Sequence, residues 1–312
     1  MSTHYLAANR FGLGRRWDDP AIGDPQDWLT RQLGAFDPAP AAIAALPGRA
    51  AIAAAYLGYR EDRQAMRREA ADMPMSEEEK GMDPELRRLS RSEIRRHYVD
   101  AAGARLANAV ATPTPFPERL THFWANHFAV SADKITMLGF AGNHEFEAIR
   151  PNIMGKFADL LIAAVRHPAM LLYLDQAQSF GPDSPVAQRV RRRQKQAKLG
   201  LNENLAREIL ELHTLGVRTG YTQADVTAFA KALTGLTVAG LGKGAGQRLM
   251  PADARPGDTV FIAQLHEPGA QTILGKRYDQ PGARQGEAVL RDLAAHPATA
   301  THIATKLARH FT

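Results

Sequence analysis

Apolar residues recur at helical spacing along most of this chain, and proline repeatedly marks where one run stops and the next begins. No other feature constrains the fold as much. A run with apolar positions at i, i+3, i+4 and i+7 buries one face only as a helix. A proline suits the first turn of such a helix and is barred from its interior. "DPQDWLTRQL" shows the pattern in brief, with Asp24 as N-cap, Pro25 at the first helical position and Asp27 at the third. "PERLTHFWANHF" opens at Pro117, and "HPAMLLYLDQAQ" at Pro168. In "YTQADVTAFAKALTG", Thr222 is the cap, Asp225 answers it and Gly235 is the stop. Its core stripe is Val226, Phe229, Ala230 and Leu233.

The spacing therefore predicts a mainly α, multi-helix globular bundle. Residues 236–280 depart from it. "TVFIAQL" and "QTILG" read as short strands on either side of "EPGA", where Pro268-Gly269 suits a type II turn. A small β-hairpin is expected near residues 258–275. "TPTPFP" breaks the helical pattern and divides an N-terminal helical region, 1–112, from a main helical domain, 113–312. Residues 61–92 are dense in charges of both signs and read as an exposed loop, with helix resuming at Glu93. The last helix repeats Ile303, Leu307 and Phe311 and stops without a C-cap signal, so a truncated C-terminus is expected. There is no repeat at a fixed period.

Composition excludes some chemistry. With no cysteine there are no disulfides, no thiol catalysis and no thiolate metal ligands. No apolar run reaches the roughly 18 residues of a spanning helix. The start, "MSTHYLAANRFGLG", lacks the basic and apolar regions of a signal peptide. Lys plus Arg is 39 against 33 for Asp plus Glu, a net charge of +6. Part of the excess sits in "QRVRRRQKQAKLG", where Arg191, Arg192, Arg193 and Lys195 form a candidate anion-binding patch. No aromatic residues interleave as base-stacking platforms would, so a solvated surface insertion explains the run more simply. "NRFGLG" is not a dinucleotide fingerprint, and neither G-x-S-x-G nor a P-loop occurs.

Residues 202–217, "NENLAREILELHTLGV", place chemistry where a core should be. At about 100° per residue, Leu205, Ile209 and Leu212 define one face of a regular helix. Glu203, Arg207 and Glu211 fall opposite, at four-residue steps, as a salt-bridged rim. Glu208, His213 and Asn202 project inside the apolar arc, and an ionised carboxylate there needs a cation, a hydrogen-bonding cage or a proton. In "ERLTHFWANHFAV", His127 likewise sits amid Leu120, Phe123, Trp124 and Phe128, while Asn126 points away. Two readings stand. His127, Glu208 and His213 are candidate ligands of a divalent metal such as zinc or iron, with Glu208, His213 and Asn126 as candidate catalytic groups. Alternatively, the histidines bridge helices in a structural network. No HExxH or paired ExxH motif favours the first.

"NRFGLG", "FWANHFAVS", "HPAMLLYLD", "NENLAREILELHTLGV", "GYTQADV", "ALTG" and "TILG" succeed one another in an order that resembles the bacterial domain-of-unknown-function 1800 family. The resemblance runs from residue 9 onward. It implies a predominantly helical protein with no established activity. It also implies a genomic neighbour of the domain-of-unknown-function 1501 family, similar to phosphatases and sulfatases and often exported. Two functions are expected on this basis: an accessory or scaffold protein acting with such a partner, or a metal-assisted hydrolase. The compartment expected is the cytoplasm, or the periplasm by co-export. Leu236 stands where the family often has Trp, and Glu267 where it often has Asp, which weakens any role for His266.

Overall fold

A computed structural model describes residues 3–72, 84–193, 200–217, 219–242 and 245–312. The chain passes through α1 (Thr3–Phe11), α2 (Pro25–Ala35), α3 (Ala41–Ala44), α4 (Arg49–Asp72), α5 (Pro84–Ala111), α6 (Pro115–His127) and α7 (Ile135–His144). It continues through α8 (Phe157–Arg166), α9 (Pro168–Tyr173), α10 (Pro185–Arg193), α11 (Asn204–Glu208), α12 (Gln223–Leu233), α13 (Ala245–Arg248), α14 (Ala283–Ala295) and α15 (Pro297–Phe311). Four short strands intervene: β1 (Leu236–Val238), β2 (Thr259–Phe261), β3 (Gln271–Ile273) and β4 (Lys276–Tyr278). The fold is mainly α.

Capping chemistry sets the helix starts. Asp24 accepts from Asp27 N at 2.9 Å, and Thr222 and Asp225 form the reciprocal capping box. Two His-Pro-Ala sequences act alike. His167 Nδ1 accepts from Ala169 N at 3.2 Å to cap α9, and His296 Nδ1 from Ala298 N at 3.1 Å to cap α15. The core lies where α7, α8, α9, α11 and α12 converge, with Phe128, Phe140, Met170, Leu205, Ile209 and Phe229 fully buried. Each such side chain contributes about 1.5–3 kcal/mol of transfer free energy.

Two expectations change. Residues 61–72 continue α4 and residues 84–92 begin α5, so they are not loop; residues 73–83 lie outside the described residues. From Tyr59 to Asp72 there is neither Gly nor Pro, and Arg, Glu, Gln, Met and Ala all favour helix, so charge density there does not interrupt the helix. The second change concerns strand pairing. β2 does not pair with β3 across "EPGA". It pairs antiparallel with β1, Leu236 opposite Phe261, and the hairpin is β3–β4, Gln271 opposite Tyr278. A 3₁₀ turn at Ala263–Leu265 and Gly269 at φ 86° separate β2 from β3. The hairpin turn is Leu274-Gly275, both at positive φ (51° and 75°), the pattern of a type I′ turn. Asp225 Oδ1 holds the strained leucine by accepting from Leu274 N at 2.7 Å.

Ala41–Ala65 is apolar enough over its best window, with a mean hydropathy of 1.4, to pass for a spanning helix by composition. It is broken at Pro47-Gly48 between α3 and α4, and α4 packs on α5 and α7.

Candidate functional site

After α11 the helix widens into a π turn, Ile209–His213. The wider turn breaks the regular 100° advance and re-aims the side chains on it. His213 stays buried, 4% exposed, but Leu212 rotates outward to 45%. Thr214 secures the turn, its hydroxyl donating to Ile209 O at 2.6 Å. Glu208 lies at the junction and is only half-buried. Burial and the neighbouring Glu211 raise its carboxyl above the ordinary range, against the pull of Arg207. Among the described residues no hydrogen bond or ion pair reaches its side chain.

The two core histidines do meet. His127 Nε2 lies 3.1 Å from His213 O, so this nitrogen carries the proton and donates it to the carbonyl. The free lone pair on His127 Nδ1 accepts from Lys306 Nζ at 2.8 Å. The ring centroids of His127 and His213 are 5.9 Å apart, and the His302 ring is 6.2 Å from His127. Burial, with help from the Lys306 charge, lowers His127 to about 3; burial and the neighbouring imidazoles do the same for His213. Both rings are neutral near pH 7. Burial also lowers Lys306.

These residues do not fit a divalent ion. A metal needs lone pairs that converge, and the free pair of His127 is taken by an ammonium. Glu208 stands apart, and among the described residues no three His, Asp or Glu side chains cluster as a metal would require. The His127, Glu208 and His213 centre expected from helical phase is not assembled, because a π turn at Ile209–His213 replaces the regular helix. Nor do the catalytic candidates Glu208, His213 and Asn126 come together. Asn126 is exposed and lines a separate cleft between α5, α6 and α7.

The remaining candidates scatter. Arg207 pairs with Glu203 at 3.3 Å, but also donates to Gln223 at 2.8 Å. Glu203 accepts from Thr227 Oγ1 at 2.6 Å, so this half of the rim joins α11 to α12. Glu211 instead takes the Tyr221 hydroxyl. Asn202 fastens the chain ahead of α11, donating to Leu174 O and accepting from Asn204 N, both at 2.9 Å. Of the basic patch, Arg191 is paired with Asp183 at 3.2 Å and Arg192 is exposed. Lys195 and the side chain of Arg193 lie outside the described residues.

A family model described as "Protein of unknown function (DUF1800)" matches residues 6–312. The chain belongs to the DUF1800 family. Neither the curated proteins nor the solved structures gave a match.

This DUF1800 chain also holds buried polar groups that pattern alone did not reveal. Arg150 and Glu118 are each 1% exposed and form a two-pronged ion pair, both bonds 2.9 Å. Asn108 donates to Glu118 at 2.7 Å, and Glu118 Oε1 lies 3.4 Å from His122 Nε2. Burial opposes ionisation of Glu118, yet His122 and Arg150 together hold its carboxyl down to about 2. Beside them Glu145 accepts from Arg105 Nε at 2.6 Å, while burial raises its carboxyl. A second cluster joins Glu147, held by Asn143 at 2.8 Å, to His167 at 3.7 Å and Arg49 at 3.5 Å. A third is Glu267, which pairs with Lys231 at 3.2 Å and accepts from Asp183 N at 2.8 Å. The one available signal was spacing: Glu118 shares a helix face with Thr121 and His122, and Arg150 directly precedes a proline.

Proposed function

We propose that this DUF1800 protein is a helical scaffold or accessory protein that docks a protein partner on the outer face of α5. One observation carries the reading. Val99, Leu106 and Val110, spaced i, i+7 and i+11, share one helix face and are 64%, 67% and 60% exposed. The opposite face of α5 is already committed, with Ile94, Ala101 and Asn108 buried against the bundle. An isolated exposed leucine is ordinary, but an aligned apolar stripe on a long helix is the form an interface takes before its partner arrives. Beyond the end of α5 the stripe continues into the loop of Leu13 and Trp17, the latter 97% exposed, which Arg16 ties to Val110 O. Exposed Arg95, Arg96 and Arg15 flank the stripe and favour a partner with an acidic rim. The partner class is the phosphatase- or sulfatase-like protein that the family resemblance implies. The His127 ring supports the same reading, since its Nε2 is spent on His213 O and its Nδ1 on Lys306 of α15.

The test is affinity capture of such a partner by the purified chain. A Val99→Glu, Leu106→Glu, Val110→Glu triple variant is expected to lose at least tenfold in capture with an unchanged melting temperature. Equal capture by this variant would reject α5 as the docking face.

A further inference from the structure

We propose that the cleft between α5, α6 and α7 binds a small aliphatic carboxylate, its carboxyl group on Arg105 and its chain along an alanine wall. The cleft encloses about 370 Å³, within the range of small-molecule sites. Its sides are methyl groups, those of Ala101, Ala102, Ala125, Ala129, Ala132 and Ala141. The helices are in closest contact at Gly142, where an added Cβ would come within 2.5 Å of Ala101 Cβ. Small side chains there let α5 and α7 touch and leave the opening above them wide.

The polar groups around this apolar wall include one cation, Arg105. Arg105 uses only Nε, on Glu145, and its side chain is 41% exposed. Among the described residues both terminal guanidinium nitrogens of Arg105 lack a partner, as do the Asn126 amide and the Tyr98 hydroxyl at the rim. Two carboxylates lie close by, Glu145 in the lining itself. Glu118 is engaged by Arg150, and Glu145 Oε1 is buried without a hydrogen bond, 3.9 Å from Arg150. Arg105 is thus held through Nε alone, with its two terminal nitrogens left for a ligand. A planar fork with two free donors matches a carboxylate, and the methyl wall selects an aliphatic tail. This inference is independent of the partner proposed for α5.

Calorimetric titration of the whole chain with sodium hexanoate tests it, with methyl hexanoate and inorganic phosphate as comparison ligands. Saturable hexanoate binding is expected, at least tenfold tighter than either comparison ligand. Ala129→Trp, a substitution at an exposed position on the cleft wall, is expected to abolish it while leaving the melting temperature unchanged. No saturable hexanoate binding would overturn the proposal. So would equal binding of the ester or of phosphate, or undiminished binding by a folded Ala129→Trp protein.

Discussion

Arg150 and Glu118 carry the largest electrostatic stake held by any two residues described. Each is closed off from water, so each is tolerable only because the other is present. Glu118→Gln strands the guanidinium and is expected to cost about 3–5 kcal/mol, read as a lowered urea midpoint at unchanged slope. The pH dependence has its origin in the same groups. The carboxyl of Glu118 lies at about 2 rather than 4.5, so its stabilisation is complete above 4.5 and is lost as pH falls toward 2. His127, His144 and His213 lie at about 3 rather than 6.5, so the unfolded chain takes up their protons first. Their contribution is complete above 6.5 and is lost between 6.5 and 3. Glu145, raised by burial, works in the opposite direction. The melting temperature is therefore expected to fall steadily below pH 6.5, and His213→Leu to flatten that fall. An equally steep decline in the variant would show that His213 is not among the causes.

Among elements, α12 shows how much was legible in the sequence. Thr222, Asp225 and Gly235 marked its ends, and Val226, Phe229, Ala230 and Leu233 its buried stripe; all are found so placed. Periodicity and capping are local, and local signals survive in a sequence. What failed was non-local or irregular. The π turn at Ile209–His213 leaves no mark in the pattern, so a regular helical phase puts Glu208 and Leu212 on the core face, whereas Glu208 is half-buried and Leu212 exposed. The pairing of β2 with β1 joins residues more than twenty positions apart, which no turn residue announces. The charged run beyond Tyr59 failed for a different reason, since polarity reports exposure and says little about backbone conformation. Asp225 has a second task that capping did not reveal, holding Leu274 N. Thr222→Ala should cost about 1 kcal/mol, an ordinary lost cap. Asp225→Ala should cost more and should also speed hydrogen exchange at Leu274. Equal costs with unchanged exchange would mean that the hairpin is anchored elsewhere.

For the whole molecule, a bundle with a settled interior presents the aligned apolar stripe of α5 outward and has a net charge of +6. If that stripe meets an acidic-rimmed partner, association should weaken as salt rises, through slower encounter more than faster release. Raising salt from 0.05 to 0.5 M in a surface-binding assay should lower the association rate at least fivefold; a flat salt profile would argue for a neutral partner surface. The Glu118–Arg150 pair has a further consequence, for the order of events. Neither charge gains from leaving water before the other, so α6 and the segment after α7 are expected to dock in one step. Those two pieces, 32 positions apart at the pair, would then assemble and separate as one.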